Sequence, residues 1–108
     1  MKSLVLSLIL ISTVAAAQSK QKFTGTITDD MCPAGDHSRM RMGANDAECT
    51  LACASYHAAL FVLYDGKTTY NLSDQKTPEK FAGKKVKVSG VLYTKTNILK
   101  VEGIASAN

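Results

Sequence analysis

Lys85-Val86-Lys87-Val88-Ser89-Gly90-Val91-Leu92 is the stretch whose reading decides the fold. Lys and Ser alternate with Val, the two-residue period of a strand with one face in a core and the other in water. Gly90 marks a point where such a strand bends or bulges. A kinked strand belongs to a sheet that curls, and the neighbouring segments supply the rest of that sheet. Phe23-Thr24-Gly25-Thr26-Ile27-Thr28 alternates Phe, Gly and Ile with Thr, and Leu60-Phe61-Val62-Leu63-Tyr64 is a continuous apolar strand. Asp65-Gly66 predicts a tight hairpin into Lys67 to Leu72, where Thr68, Tyr70 and Leu72 share a face. Thr94 to Asn97 turns the chain into a last strand, Ile98 to Ile104. The reading is mainly β with one helix: five short strands that curl into a small barrel and leave no open edge. A flat α+β sheet is the competing arrangement.

The helix is signalled at Asn45, with Glu48 three residues later as a capping box, and runs through about Tyr56. Cys49, Ala52, Cys53, Tyr56, His57 and Leu60 fall on one face by i, i+3, i+4 spacing. Before it, Asp29-Asp30 ends the first strand and a loop with Pro33, Gly35 and Gly43 spans Met31 to Ala44. Adjacent strand residues face opposite sides, so the two aspartates make a poor acid/base pair and read as a turn. A short helical turn follows the hairpin, with Thr77 as cap, Pro78 at the first position and Gly83 as stop.

Of the 108 residues, the first 17 read as a secretory leader. Lys2 supplies the charged start, Leu4 to Val14 an apolar run too short to span a membrane, and Ala15-Ala16-Ala17 a small-residue cleavage site. Residues 18–108 then form one domain, exported to the periplasm or medium, with no lasting membrane anchor. Charge is uneven, since residues 66–108 hold 8 basic and 3 acidic side chains. Lys76, Lys80, Lys84, Lys85 and Lys87 read either as a positive face for a polyanionic envelope component or as a solvated strand edge. Without interleaved Arg or aromatic residues, and with export, nucleic acid is not an expected partner.

The soft side chains are concentrated. All three Cys, both His and every Met but the first lie between residues 31 and 57. Thiolates and thioethers suit Cu(I), and imidazole suits copper and zinc, so Cys32, His37, Met40, Cys49 and Cys53 are the candidate metal ligands. The bland alternative is a disulfide. Helical i, i+4 neighbours stand too far apart for easy bridging, so Cys32 is expected to pair with Cys49 or Cys53, leaving one thiol spare. Thiol–disulfide exchange is the third reading, although the spacing is CxxxC rather than CxxC. No GxSxG, HExxH, GxGxxG or GxxxxGK pattern occurs, so no catalytic residues are assigned and no enzyme is expected.

Thr26 to Cys32, His37, Met40, Asp46-Ala47-Glu48-Cys49, Cys53, Phe61 to Gly66, Tyr70-Asn71-Leu72, Phe81 to Gly90 and Val101 to Ile104 together resemble a family of small exported bacterial proteins of unknown function. The resemblance implies an OB-like domain over nearly all of the mature chain, and no reaction. Pro33 and the Tyr56-His57 pair depart from it, standing where the family tends to have Gly. The leading expectation is an exported, non-enzymatic OB-like domain, disulfide-stabilised, that binds a ligand or partner in the cell envelope. The alternatives are a copper- or zinc-binding protein and a thiol oxidoreductase.

Overall fold

The computed structural model describes residues 19–107; the leader expected at 1–17 lies outside them. The elements are β1 (Gln21–Asp29), α1 (Asp46–His57), β2 (Phe61–Tyr64), β3 (Thr69–Leu72), a 3-10 helix (Thr77–Phe81), β4 (Lys85–Tyr93) and β5 (Ile98–Ser106). Among the described residues the protein is mainly β, with five strands in one sheet and one α-helix.

Strand order in the sheet is β1-β2-β3-β5-β4, and β4 pairs back onto β1, so the sheet closes on itself. Four of the five pairings are antiparallel, and β3 with β5 is parallel. Closure needs curvature, and two glycines supply it. A bulge falls between Ser89 and Gly90, where a Cβ on Gly90 would lie 2.0 Å from the Lys100 carbonyl oxygen. At Gly25 a Cβ would lie 2.4 Å from the carbonyl oxygen of Tyr64. Only a residue without a side chain lets these backbones approach so closely.

Ile27, Phe61, Leu63, Leu72, Val86, Val88 and Leu99 fill the interior. Leu51 and Ala54 of α1 pack against this cluster. Gly83 fixes the helix position. At φ +72 the backbone is left-handed, and a Cβ there would sit 2.7 Å from the Ala47 amide nitrogen.

Several local expectations are corrected. The 3-10 helix includes Thr77 instead of being capped by it, because Asp74 Oδ1 accepts the Lys76 and Thr77 N–H groups at 2.9 and 3.0 Å. The turn after β2 is longer than a two-residue hairpin, since β3 starts at Thr69 and Asp65 Oδ1 holds the Lys67 and Thr68 amides. The shared helix face ends at Cys53: Tyr56 is 79% exposed and Leu60 52%. Tyr56 falls on the exposed side of the last helical turn, and Ala58 stops the helix in a left-handed conformation, φ 53, before Leu60.

Candidate metal centre

The site assembles where the end of β1, the following loop and the inner face of α1 meet. Asn45 caps the helix as its sequence predicts, accepting the Glu48 N–H at 2.9 Å, while Glu48 Oε2 accepts the Ala44 N–H. With its start fixed, α1 buries Cys49, Thr50 and Cys53. The start of the loop is tied down twice. Thr28 Oγ1 donates to the Cys32 carbonyl at 2.9 Å, and Thr69 Oγ1 donates to the Pro33 carbonyl at 3.0 Å.

Asp29 organises the centre, and it is completely buried. Its Oδ1 accepts the N–H groups of Met31 and Cys32, each at 3.1 Å. Its Oδ2 lies 3.2 Å from His37 Nε2, and its negative charge helps to raise the pKa of the nearby Cys53 thiol. A buried carboxylate survives only when its lone pairs are matched in this way. His37, also buried, turns its other nitrogen to Asp46 Oδ1 at 3.3 Å, and Thr50 Oγ1 lies 3.4 Å from Nε2.

One ligand atom from each of Asp29, Cys32 and His37 lies within 4.8 Å of the others. Zinc takes thiolate, imidazole and carboxylate ligands at about 2.0–2.3 Å in a tetrahedron, which places ligand atoms about 3.3–3.8 Å apart. The Cys53 thiol lies outside the Asp29, Cys32 and His37 group but close enough to feel the charge of Asp29, which makes it the nearest further donor to be tested. Asp46 beyond the imidazole then has the position of the carboxylate that orients a metal-bound histidine, taking the Nδ1 proton and leaving Nε2 for the ion.

Electrostatics around the sulfurs is one-sided. Burial pushes the Cys53 thiol up from 9.0 to about 11, helped by the negative charge of Asp29 and by the neighbouring cysteines. Burial, then Asp29 and Asp36, raises Cys32 in the same direction. Both are therefore protonated thiols in the metal-free protein, the reverse of what a redox-active nucleophile needs.

The expected disulfide is not formed: Cys32, Cys49 and Cys53 are all free and buried. Their sulfurs have other partners. The Cys49 sulfur accepts the Gly43 N–H at 3.2 Å and its thiol donates to the Gly43 carbonyl at 3.3 Å, while Cys53 lies near Asp29. Of the sequence candidates, Cys32 and His37 come together, joined by Asp29, while Cys49 and Cys53 stand nearby, Cys49 near enough to act on both other thiols. Met40 does not join the cluster; its side chain is 39% exposed, as are those of Met31 and, at 38%, Met42. Asp29 is the residue that sequence reasoning missed. Its signal was available, because Asp29 falls on the inward side of β1 with Ile27 and two residues before a Cys-bearing turn. The five lysines are spread over the chain's surface elements, Lys76 and Lys80 at the 3-10 helix, Lys84 just before β4, and Lys85 and Lys87 on the outer face of β4.

Residues 60–107 match a family model described as a protein of unknown function (DUF5818). The match places that part of the chain beside an uncharacterised family. It spans β2 to β5 and stops short of the segment bearing Asp29, Cys32, His37, Cys49 and Cys53. No curated protein and no solved structure matches the chain.

Proposed function

We propose that this is an exported, OB-like barrel protein that binds a thiophilic metal ion and carries no catalytic activity of its own. The observation behind this reading is the buried Asp29–Cys32–His37 set with the Cys53 thiol nearby. Two sulfurs, one nitrogen and one carboxylate oxygen match the preference of Zn2+. Supporting the OB-like barrel are the closed strand order, the parallel β3–β5 pair and the bulged fourth strand. Supporting export is the leader pattern of residues 1–17. Export also favours a metal over idle thiols, since unligated cysteines in an oxidising compartment tend to pair.

Metal analysis of the full-length protein recovered from an exporting host, followed by competition against a chromophoric chelator, tests the reading. One zinc per chain is expected, with His37→Ala and Cys32→Ser abolishing retention and Asp46→Ala weakening it by about 10–100-fold. Wild-type protein that takes up no metal under reducing conditions overturns it. A second reading, Cu(I), is favoured by the exposed thioethers of Met31, Met40 and Met42 on the same loop. The same competition run with Cu(I) under anaerobic conditions ranks the two ions.

A further inference from the structure

A second surface, away from the metal centre, has the makings of a binding site. On β4, Lys85, Lys87 and Ser89 point outward while Val86 and Val88 point in. Lys85 pairs with Thr26 and Lys87 with Thr24 on β1, and Ser89 pairs with Lys22. On the other side, Lys87 pairs with Ala105 and Ser89 with Gly103 of β5. One outward face across three strands therefore carries three lysines, three hydroxyls and two very small residues.

The small residues make the face concave. Lys22, Lys87, Ser89, Gly103, Ile104 and Ala105 line a shallow groove of about 250 Å3. Lys22 and Lys87 occupy diagonal positions of the antiparallel pair, about 7–8 Å apart. Neither they nor Lys85 belong to an ion pair among the described residues. The acidic side chain on the adjoining stretch of β5, Glu102, is already held by Lys20 at 2.6 Å.

Lysines on a sheet commonly guard an open edge against pairing with another chain. That explanation does not apply to β4, which has β1 on one side and β5 on the other. We propose that the outward face of β1, β4 and β5 binds a linear polyanion, a polymer bearing phosphate or sulfate groups along its length. The charge is complementary, the hydroxyls of Ser89 and Thr24 offer hydrogen bonds to anionic oxygens, and the groove floor leaves room for a chain to lie down. An anionic lipid surface fits less well, because no exposed large apolar side chain lines the groove; Tyr93 and Ile98 lie at the far end of β4 and β5.

The test uses the full mature chain and end-labelled inorganic polyphosphate, read by fluorescence anisotropy over a range of salt. Lys22→Gln, Lys85→Gln and Lys87→Gln are combined in one variant. A control of equal net charge combines Lys67→Gln, Lys76→Gln and Lys95→Gln, all exposed and on other elements. The face variant is expected to bind at least about tenfold more weakly than the control and to show a salt slope lower by about 2, at about 0.7 for each of the three lost contacts. Circular dichroism checks that both variants are folded. Equal loss in the two variants, no binding by wild type, or face-dependent binding to phosphatidylglycerol vesicles but not to polyphosphate would each overturn the proposal.

Discussion

His37 Nε2 stands 3.2 Å from Asp29 Oδ2, and both side chains are sealed from solvent. The pair joins a strand end to a loop eight residues on, and Asp29 also holds that loop's first amides. Asp29→Asn keeps an oxygen for the Met31 and Cys32 N–H groups and removes only the charge. Asp29→Ala leaves both amides and the imidazole unmatched. The expected stability losses are about 1 kcal/mol and about 3 kcal/mol respectively, read from urea midpoints. Equal losses would mean that the amide contacts contribute nothing.

Gly83 sets the distance between the sheet and the helix that carries two of the cysteines. Gly83→Ala introduces a side chain at positive φ and into the Ala47 backbone, with an expected cost of about 2–4 kcal/mol. Gly103→Ala, where nothing lies within 4 Å, is expected to stay within about 0.5 kcal/mol of wild type. Thermal unfolding of the two variants side by side checks the contrast.

Ala58 closes α1 in a left-handed conformation that costs a residue with a Cβ about 1 kcal/mol. Ala58→Gly is therefore expected to raise stability by up to about 1 kcal/mol, less the extra freedom glycine gains in the unfolded chain. A denaturation midpoint lower than wild type would contradict this account of the helix stop.

The strands were legible because their alternation is local. Val86 and Val88 against Lys85 and Lys87, and Ile27 among threonines, state directly which side faces the core. Gly90 announced its bulge for the same reason. The helix start was equally plain, because Asn45 and Glu48 carry the capping chemistry themselves. What stayed hidden depends on distant parts of the chain. Nothing near Asp29 says that Cys53 will come to rest near its carboxylate, or that Gly43 will engage Cys49. The left-handed stop at Ala58 also escapes pattern reading, since alanine is an ordinary helix former. Leu60 was consequently placed on a helix face that had already ended.

The thiols give the metal-free protein a specific alkaline response. Cys53 holds its proton to about 11 in the folded state, against 9.0 when unburied. Between those values the unfolded chain has released the proton and the folded chain has not, so stability falls as pH rises through the window. Below 9 this contribution is fully present. Urea midpoints at intervals from pH 8 to 11 should fall more steeply for wild type than for Cys53→Ala, and iodoacetamide labelling of native protein at pH 8 should be slower than that of the unfolded chain. Matching pH slopes would contradict the raised Cys53 value.

Cobalt(II) offers the most direct test of the buried centre, because its spectrum reports both geometry and sulfur ligation in solution. Added to reduced, metal-free protein, it should give the intense visible bands of a four-coordinate ion with thiolate-to-metal charge transfer in the near ultraviolet. Cys32→Ser and Cys53→Ser should each weaken the charge-transfer band, zinc should displace the cobalt, and Met40→Leu should change nothing. A weak six-coordinate spectrum, or an intense one that survives both cysteine substitutions, would contradict a centre built from Asp29, Cys32, His37 and Cys53.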